Sequence, residues 1–109
     1  MIELLPENWA RKIQYALNLH APHLGPCWEM TSRWRSGNGY AKLSVNGRAC
    51  MAHRAIFECV KGESIDNGKV LDHLCRNRGC VNPDHVEPVT PKINTERGRG
   101  VFHQFRRAA

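Results

Sequence analysis

Three residues in one turn-rich stretch constrain this chain more than any other feature: Cys75, Cys80 and His85, with four residues between each and the next. Thiolate sulfur and imidazole nitrogen are the donors zinc prefers in a closed tetrahedron. Asn77, Gly79, Asn82 and Pro83 lie among them and favour chain reversal, so the segment can curl around one ion. A fourth ligand must come from elsewhere. Cys27 is preferred, because it follows the Gly25-Pro26 break and precedes the apolar Trp28. Cys50 and Cys59 compete for that place, but each falls in a stretch that reads as apolar strand or helix, where a free cysteine is ordinarily a small buried hydrophobe. His73, two residues before Cys75, is a further candidate ligand. Five cysteines, an odd number, argue against a disulfide framework. A structural metal also suits a chain of 109 residues, whose single domain buries a limited core.

No run of about 18 apolar residues marks a membrane span. The opening MIELLPENWARK carries acids where a signal peptide needs positive charge, and lacks a continuous apolar stretch. A cytoplasmic protein is expected, with no membrane partner. Sixteen Lys and Arg face ten Asp and Glu, a net charge of +6. That balance suits a polyanion such as nucleic acid.

Residues 7–19 predict an amphipathic helix, with Trp9, Ile13, Ala16 and Leu17 at helical spacing after Pro6. Pro22, Gly25 and Pro26 then break the chain. Residues 39–52 predict a β-hairpin: Ala41, Leu43 and Val45 alternate with Lys42 and Ser44, and Asn46-Gly47 is the favoured two-residue turn. Residues 53–61 predict a short helix burying Ile56, Cys59 and Val60, with Gly62 as its C-cap. A strand at 69–74 leads into the cysteine turn, and a return strand follows at 86–89. Thr90 and Pro91 then have the character of an N-cap and first helical residue, for a helix reaching about Arg97 and stopping at Gly98.

Asp72-His73 directly precedes the cysteine turn. A neutral imidazole can take a proton from water near pH 7. A carboxylate offers hard oxygen to Mg²⁺, and the amide of Asn94 offers a second oxygen. A strand, a loop and a helix can fold back so that 72–73 and 94 face one another.

The stretch LDHLCRNRGCVNPDHVEPVTPKINTERG, Leu71 to Gly98, resembles the HNH or His-Me finger endonucleases. It is most similar to their zinc-bearing branch, which includes the His-Cys box homing endonucleases and small phage HNH proteins. The upstream CWEM, GY, NGR and AHRAIFECVKG are also similar to that branch, so the resemblance covers residues 27–98. It implies His73 as the base that activates water, with Asp72 and Asn94 holding a catalytic Mg²⁺ or Mn²⁺. It implies Cys27, Cys75, Cys80 and His85 as structural zinc ligands, and Asn82 as a residue that holds the loop by hydrogen bonds. Arg48 and Arg54 are the local choices for contact with the scissile phosphate. The implied reaction is hydrolysis of DNA to 5′-phosphate and 3′-hydroxyl ends, and the implied origin is phage.

Lys92, Arg97, Arg99, Arg106 and Arg107 gather near the C-terminus against the single acid Glu96, a pattern that fits phosphate contact without sequence choice. The expected architecture is α+β: an N-terminal helical segment (1–25), a domain at 26–98 with a hairpin and a ββα-metal core around zinc, and a basic tail (99–109). The oligomeric state, monomer or homodimer, is left open. The rival class is a non-catalytic zinc module that binds DNA, which accounts for the cysteines and the charge but not for Asp72, His73 and Asn94 together. A catalytic zinc is excluded by four protein ligands, which leave no open position for water.

Overall fold

The computed structural model describes residues 1–32 and 34–97. Gly98, the expected helix stop, and the tail arginines Arg99, Arg106 and Arg107 lie outside the described residues. The chain begins with a single helical turn, α1 (Glu7–Ala10), followed by strands β1 (Ile13–Ala16) and β2 (Cys27–Met30). Strands β3 (Lys42–Val45) and β4 (Arg48–Met51) precede helix α2 (Ala52–Lys61). Strands β5 (Val70–His73) and β6 (Val86–Val89) then lead into helix α3 at 91–97. The six strands form three separate antiparallel pairs, β1–β2, β3–β4 and β5–β6. This is the expected small α+β architecture with a hairpin and a strand–strand–helix end.

The expected helix over 7–19 is not formed beyond Ala10. Residues 13–16 instead pair with 27–30, placing Tyr15 opposite Trp28 with ring centroids 6.4 Å apart in an edge-on contact. Cross-strand aromatic pairs of this kind stabilise a short ribbon. A helix through Leu19 would have needed cover for its apolar stripe, yet Leu17 and Leu19 stay 85% and 86% exposed. Tertiary pairing with β2 therefore outweighed helical spacing.

The hairpin forms in the expected register, with Val45 opposite Arg48. Asn46 and Gly47 have φ of 51° and 79°, the paired left-handed conformations that match the twist of the flanking strands. Helix α2 starts directly after β4 and ends at Gly62, whose φ of 72° is costly for residues with a Cβ. Ile56 is fully buried, whereas Cys59 is exposed rather than buried as expected, with its Sγ 3.5 Å from the Leu4 carbonyl.

Helix α2 joins two apolar clusters. Ile56 and Ala52 pack with Leu5, Trp28, Met30, Ala41, Leu43 and Val81, while Phe57 packs with Ile65, Leu71 and Val86. Ile2, Trp9 and Ile13 cover the first cluster, so the N-terminal segment shares the core of the rest. The second cluster seats β5 and β6 against α2, which fixes the strand end that carries Asp72 and His73. After β6, the Thr90 Oγ1 accepts from the Ile93 N–H at 3.3 Å, as an N-cap should.

Candidate metal centre and candidate active site

Two backbone links bring the cysteine turn to β2. Cys80 bridges to Glu29, and the Val81 N–H donates to the Trp28 carbonyl at 2.8 Å. The Asn77 side chain adds a bond to Glu29 Oε2 at 2.8 Å. Asn82 accepts from the Asp84 N–H at 2.9 Å and donates to the Pro26 carbonyl at 3.3 Å. The segment just before Cys27 is thereby tied to the turn that carries Cys80 and His85.

The result is a buried cluster of Cys27, Cys75, Cys80 and His85, whose ligand atoms all lie within 4.8 Å of one another. His85 Nδ1 is 3.5 Å from Cys80 Sγ and 3.7 Å from Cys27 Sγ. A zinc tetrahedron with bonds of about 2.3 Å to sulfur and about 2.0 Å to nitrogen has S···N edges near 3.5 Å. His85 Nε2 lies 2.9 Å from the Leu24 carbonyl. A carbonyl only accepts, so Nε2 carries the hydrogen and the bare Nδ1 faces the sulfurs, the tautomer a metal ligand needs. A hydrogen bond from Cys80 pushes the Cys75 thiol down to about 5, and the same bond pushes Cys80 up; burial pushes Cys27 up. One thiolate is stabilised at the expense of the other two, and a dication is what allows all three to ionise. The donor set and its spacing fit zinc. Cys50 and Cys59 lie outside the cluster, as does His73.

His73 sits at the end of β5 with 6% exposure, and its Nε2 lies 3.0 Å from the Cys80 carbonyl. By the same logic Nε2–H donates and Nδ1 keeps its lone pair. Burial pushes the His73 imidazole below the ordinary 6.5, against an upward pull from that bond, so the ring is neutral at pH 7.

Asp72 is 2% exposed, and both of its oxygens are engaged. Arg76 donates to Oδ1 at 2.7 Å and Arg97 to Oδ2 at 2.9 Å; Arg97 also reaches Glu87 at 3.2 Å. A buried carboxylate flanked by two guanidinium groups is one whose setting asks for positive charge. Asn94 is half-buried on α3, three residues before Arg97 and so on the same helix face that reaches β5.

Arg48 and Lys92 are exposed and Arg54 is half-buried. No hydrogen bond or ion pair ties these three to Asp72 or His73 among the described residues.

Sequence reasoning passed over three participants. Arg76 holds Asp72 from a left-handed backbone, φ 59°, inside the cysteine turn. Its position four residues after Asp72 was the available signal. Tyr40 and His53 stack against His73, with ring centroids 5.7 Å and 4.9 Å from it. Nothing local in the sequence announces that contact, because the three rings come from three separate segments. His53 is 7% exposed, and its Nδ1 is buried with no hydrogen-bond partner among the described residues, a loss of about 1–3 kcal/mol for such an atom.

Residues 50–96 match the HNH endonuclease family, a span that holds α2, the cysteine turn, Asp72, His73 and Asn94. Protein 7.7 of Escherichia phage T7 is 39% identical over 70 residues, covering 64% of this chain and 52% of that protein. The gene 5.3 protein of Enterobacteria phage T3 is 33% identical over 82 residues, covering 65% of this chain and 80% of that protein. Protein 2.8 of phage T7 is 31% identical over 70 residues, 46% of its length. The chain thus spans about half of each T7 relative and most of the T3 one. No solved structure matches the chain. No described helix is long and apolar enough to cross a membrane. With the family match lying over the site itself and phage relatives alike along most of its length, the chain belongs to the HNH endonuclease family.

Proposed function

We propose that this protein is a divalent-metal-dependent endonuclease that hydrolyses DNA phosphodiester bonds, with His73 as general base. The observation that carries this reading is the bond from His73 Nε2 to the Cys80 carbonyl. It leaves Nδ1 as a neutral base, on the residue that follows Asp72 in β5. In the reaction, Nδ1 takes a proton from water as the water oxygen bonds to phosphorus. The bond to the 3′ oxygen breaks, that oxygen takes a proton from a solvent water, and 5′-phosphate and 3′-hydroxyl ends result.

Asp72 and Asn94 would hold the catalytic cation, Mg²⁺ or Mn²⁺, which when bound stabilises charge developing on the phosphate and the leaving oxygen. Asp72 is buried and held by Arg76 and Arg97, so a cation there would take the place of one of these guanidinium groups. Cys27, Cys75, Cys80 and His85 would hold zinc structurally, and Asn82 keeps their loop closed. Arg48 and Arg54 are assigned to the scissile phosphate. Lys92, Arg97, Arg99, Arg106 and Arg107 are assigned to the DNA backbone, consistent with the net charge of +6. Its phage relatives support a phage-encoded origin.

Cleavage of supercoiled plasmid with Mg²⁺, with Mn²⁺ and with EDTA tests this reading. Nicking or linearisation that needs the divalent ion and disappears in His73→Ala is the expected result. DNA binding without cleavage under any metal would leave the non-catalytic zinc module as the function.

A further inference from the structure

The single bond from Nε2 to the Cys80 carbonyl fixes only one point of the His73 ring. An imidazole held at one nitrogen can still swing about that bond, and the other nitrogen sweeps with it. Two further rings, packed on one side of it, limit this freedom. Tyr40 stacks on His73 at 5.7 Å with planes 28° apart, and on His53 at 5.2 Å with planes 23° apart. His53 closes the triangle, 4.9 Å from His73 and tilted by 47°.

Tyr40 is itself held. Its N–H donates to Ser36 Oγ at 3.2 Å, its carbonyl accepts from the Ser36 N–H at 2.8 Å, and the Arg78 guanidinium lies 5.9 Å from its ring centroid. His53 is set by the first turn of α2. The His53 ring is an odd choice for packing alone. Its buried Nδ1 has no partner among the described residues, so an apolar side chain there would be at least as stable. Burial, with the nearby His73 and Arg54, pushes its pKa down to about 3, so it brings no positive charge against the base.

We propose that Tyr40 and His53 are positioning residues, which pack together against one side of the His73 ring so that Nδ1 stays aimed at the attacking water. This rests on the reading of His73 as general base. Such residues act on the reaction rate and not on DNA affinity, because a misdirected base is out of line with the water while the substrate stays bound.

The test uses the full-length, zinc-loaded protein. It measures single-turnover cleavage at saturating protein, equilibrium DNA binding, zinc content and melting temperature. His53→Leu and Tyr40→Leu should each lower the cleavage rate about tenfold with DNA affinity unchanged. His53→Leu should keep or raise the melting temperature, since it removes an unpartnered buried nitrogen. Tyr40→Phe, which keeps the ring, should stay within about twofold of wild type. In a His73→Ala background, neither leucine substitution should lower the residual rate further, as expected of residues that act through one base.

Wild-type rates in both leucine variants, beside an inactive His73→Ala, would overturn this positioning role and leave the base assignment standing. Full activity in His73→Ala would instead overturn the base assignment. Parallel loss of rate and affinity would make the two residues binding groups and also overturn the positioning role. Should His53→Leu lose zinc or melt early, Tyr40→Leu, at a half-buried loop position, carries the same comparison.

Discussion

His73 Nε2 donates to the main-chain carbonyl of Cys80 at 3.0 Å, so one residue serves two centres. Cys80 turns its sulfur to the Cys27–Cys75–His85 cluster and its carbonyl to the imidazole of His73. The cysteine cluster and His73 are thereby mechanically linked: the turn that gathers the thiols also sets the tautomer of the histidine. The turn's own bonds, Cys80 N–H to the Asn77 carbonyl at 3.0 Å and Arg76 N–H to the His73 carbonyl at 3.0 Å, keep that link short.

The purified protein should therefore hold about one tightly bound zinc per chain. Cys75→Ser or Cys80→Ser should lose the metal and much of the thermal stability, and with them any cleavage. Elemental analysis alongside melting curves checks this. A well-folded sample without zinc would contradict it.

His73→Ala should lower the cleavage rate by about 100-fold or more while zinc content and DNA affinity stay near wild type. The wild-type rate should rise with pH through the imidazole pKa and then level. Burial places that rise below 6.5, since it disfavours the protonated ring. A pH profile of single-turnover rates reads it directly. A rise centred well above 6.5 would contradict the assignment.

Arg97 competes with any cation for Asp72. Its side chain is 36% exposed, so the pair is partly screened by solvent and the effect modest. Arg97→Ala should raise Mn²⁺ affinity a few-fold in the absence of DNA, while Asp72→Ala should weaken it. Titration calorimetry with Mn²⁺ alone separates these outcomes, and unchanged affinity in Arg97→Ala would argue against a metal on Asp72.

His53 makes stability depend on pH. Its pKa of about 3 in the fold lies below the ordinary 6.5 it regains on unfolding. Between those values the unfolded chain binds a proton that the folded one does not. Stability from this residue is complete above about pH 6.5 and falls as the pH drops toward 3, at about 1.4 kcal/mol per pH unit. His53→Leu should flatten the wild-type pH dependence of the melting temperature over that range. Identical slopes in the two proteins would show that the ring is not buried neutral.

Deleting residues 99–109 should weaken DNA binding and reduce its salt dependence, by a slope of roughly 0.9 for each phosphate that the tail neutralises. Titrations at several salt concentrations measure this, and an unchanged slope would assign phosphate binding to other residues.

The local sequence by itself determined the elements whose causes are local. Asn46-Gly47 dictates the hairpin because both positions need positive φ, Gly62 ends α2 for a related reason, and Thr90-Pro91 starts α3. The spacing of Cys75, Cys80 and His85 likewise announces a ligand set, since the turn between them is short enough for geometry to follow from sequence alone. Choosing Cys27 over Cys50 and Cys59 was legible from the Gly25-Pro26 break, though the bridge from Glu29 to Cys80 is what delivers it. Tertiary structure decided the rest. Residues 13–16 have helical spacing, but β2 offered an unpaired edge and drew them into a strand. Arg97 reaches Asp72, and Tyr40 and His53 reach His73, from segments far apart in the chain. Which side chain meets which across such distances depends on how α2 seats β5, β6 and the hairpin, and no local pattern encodes that packing.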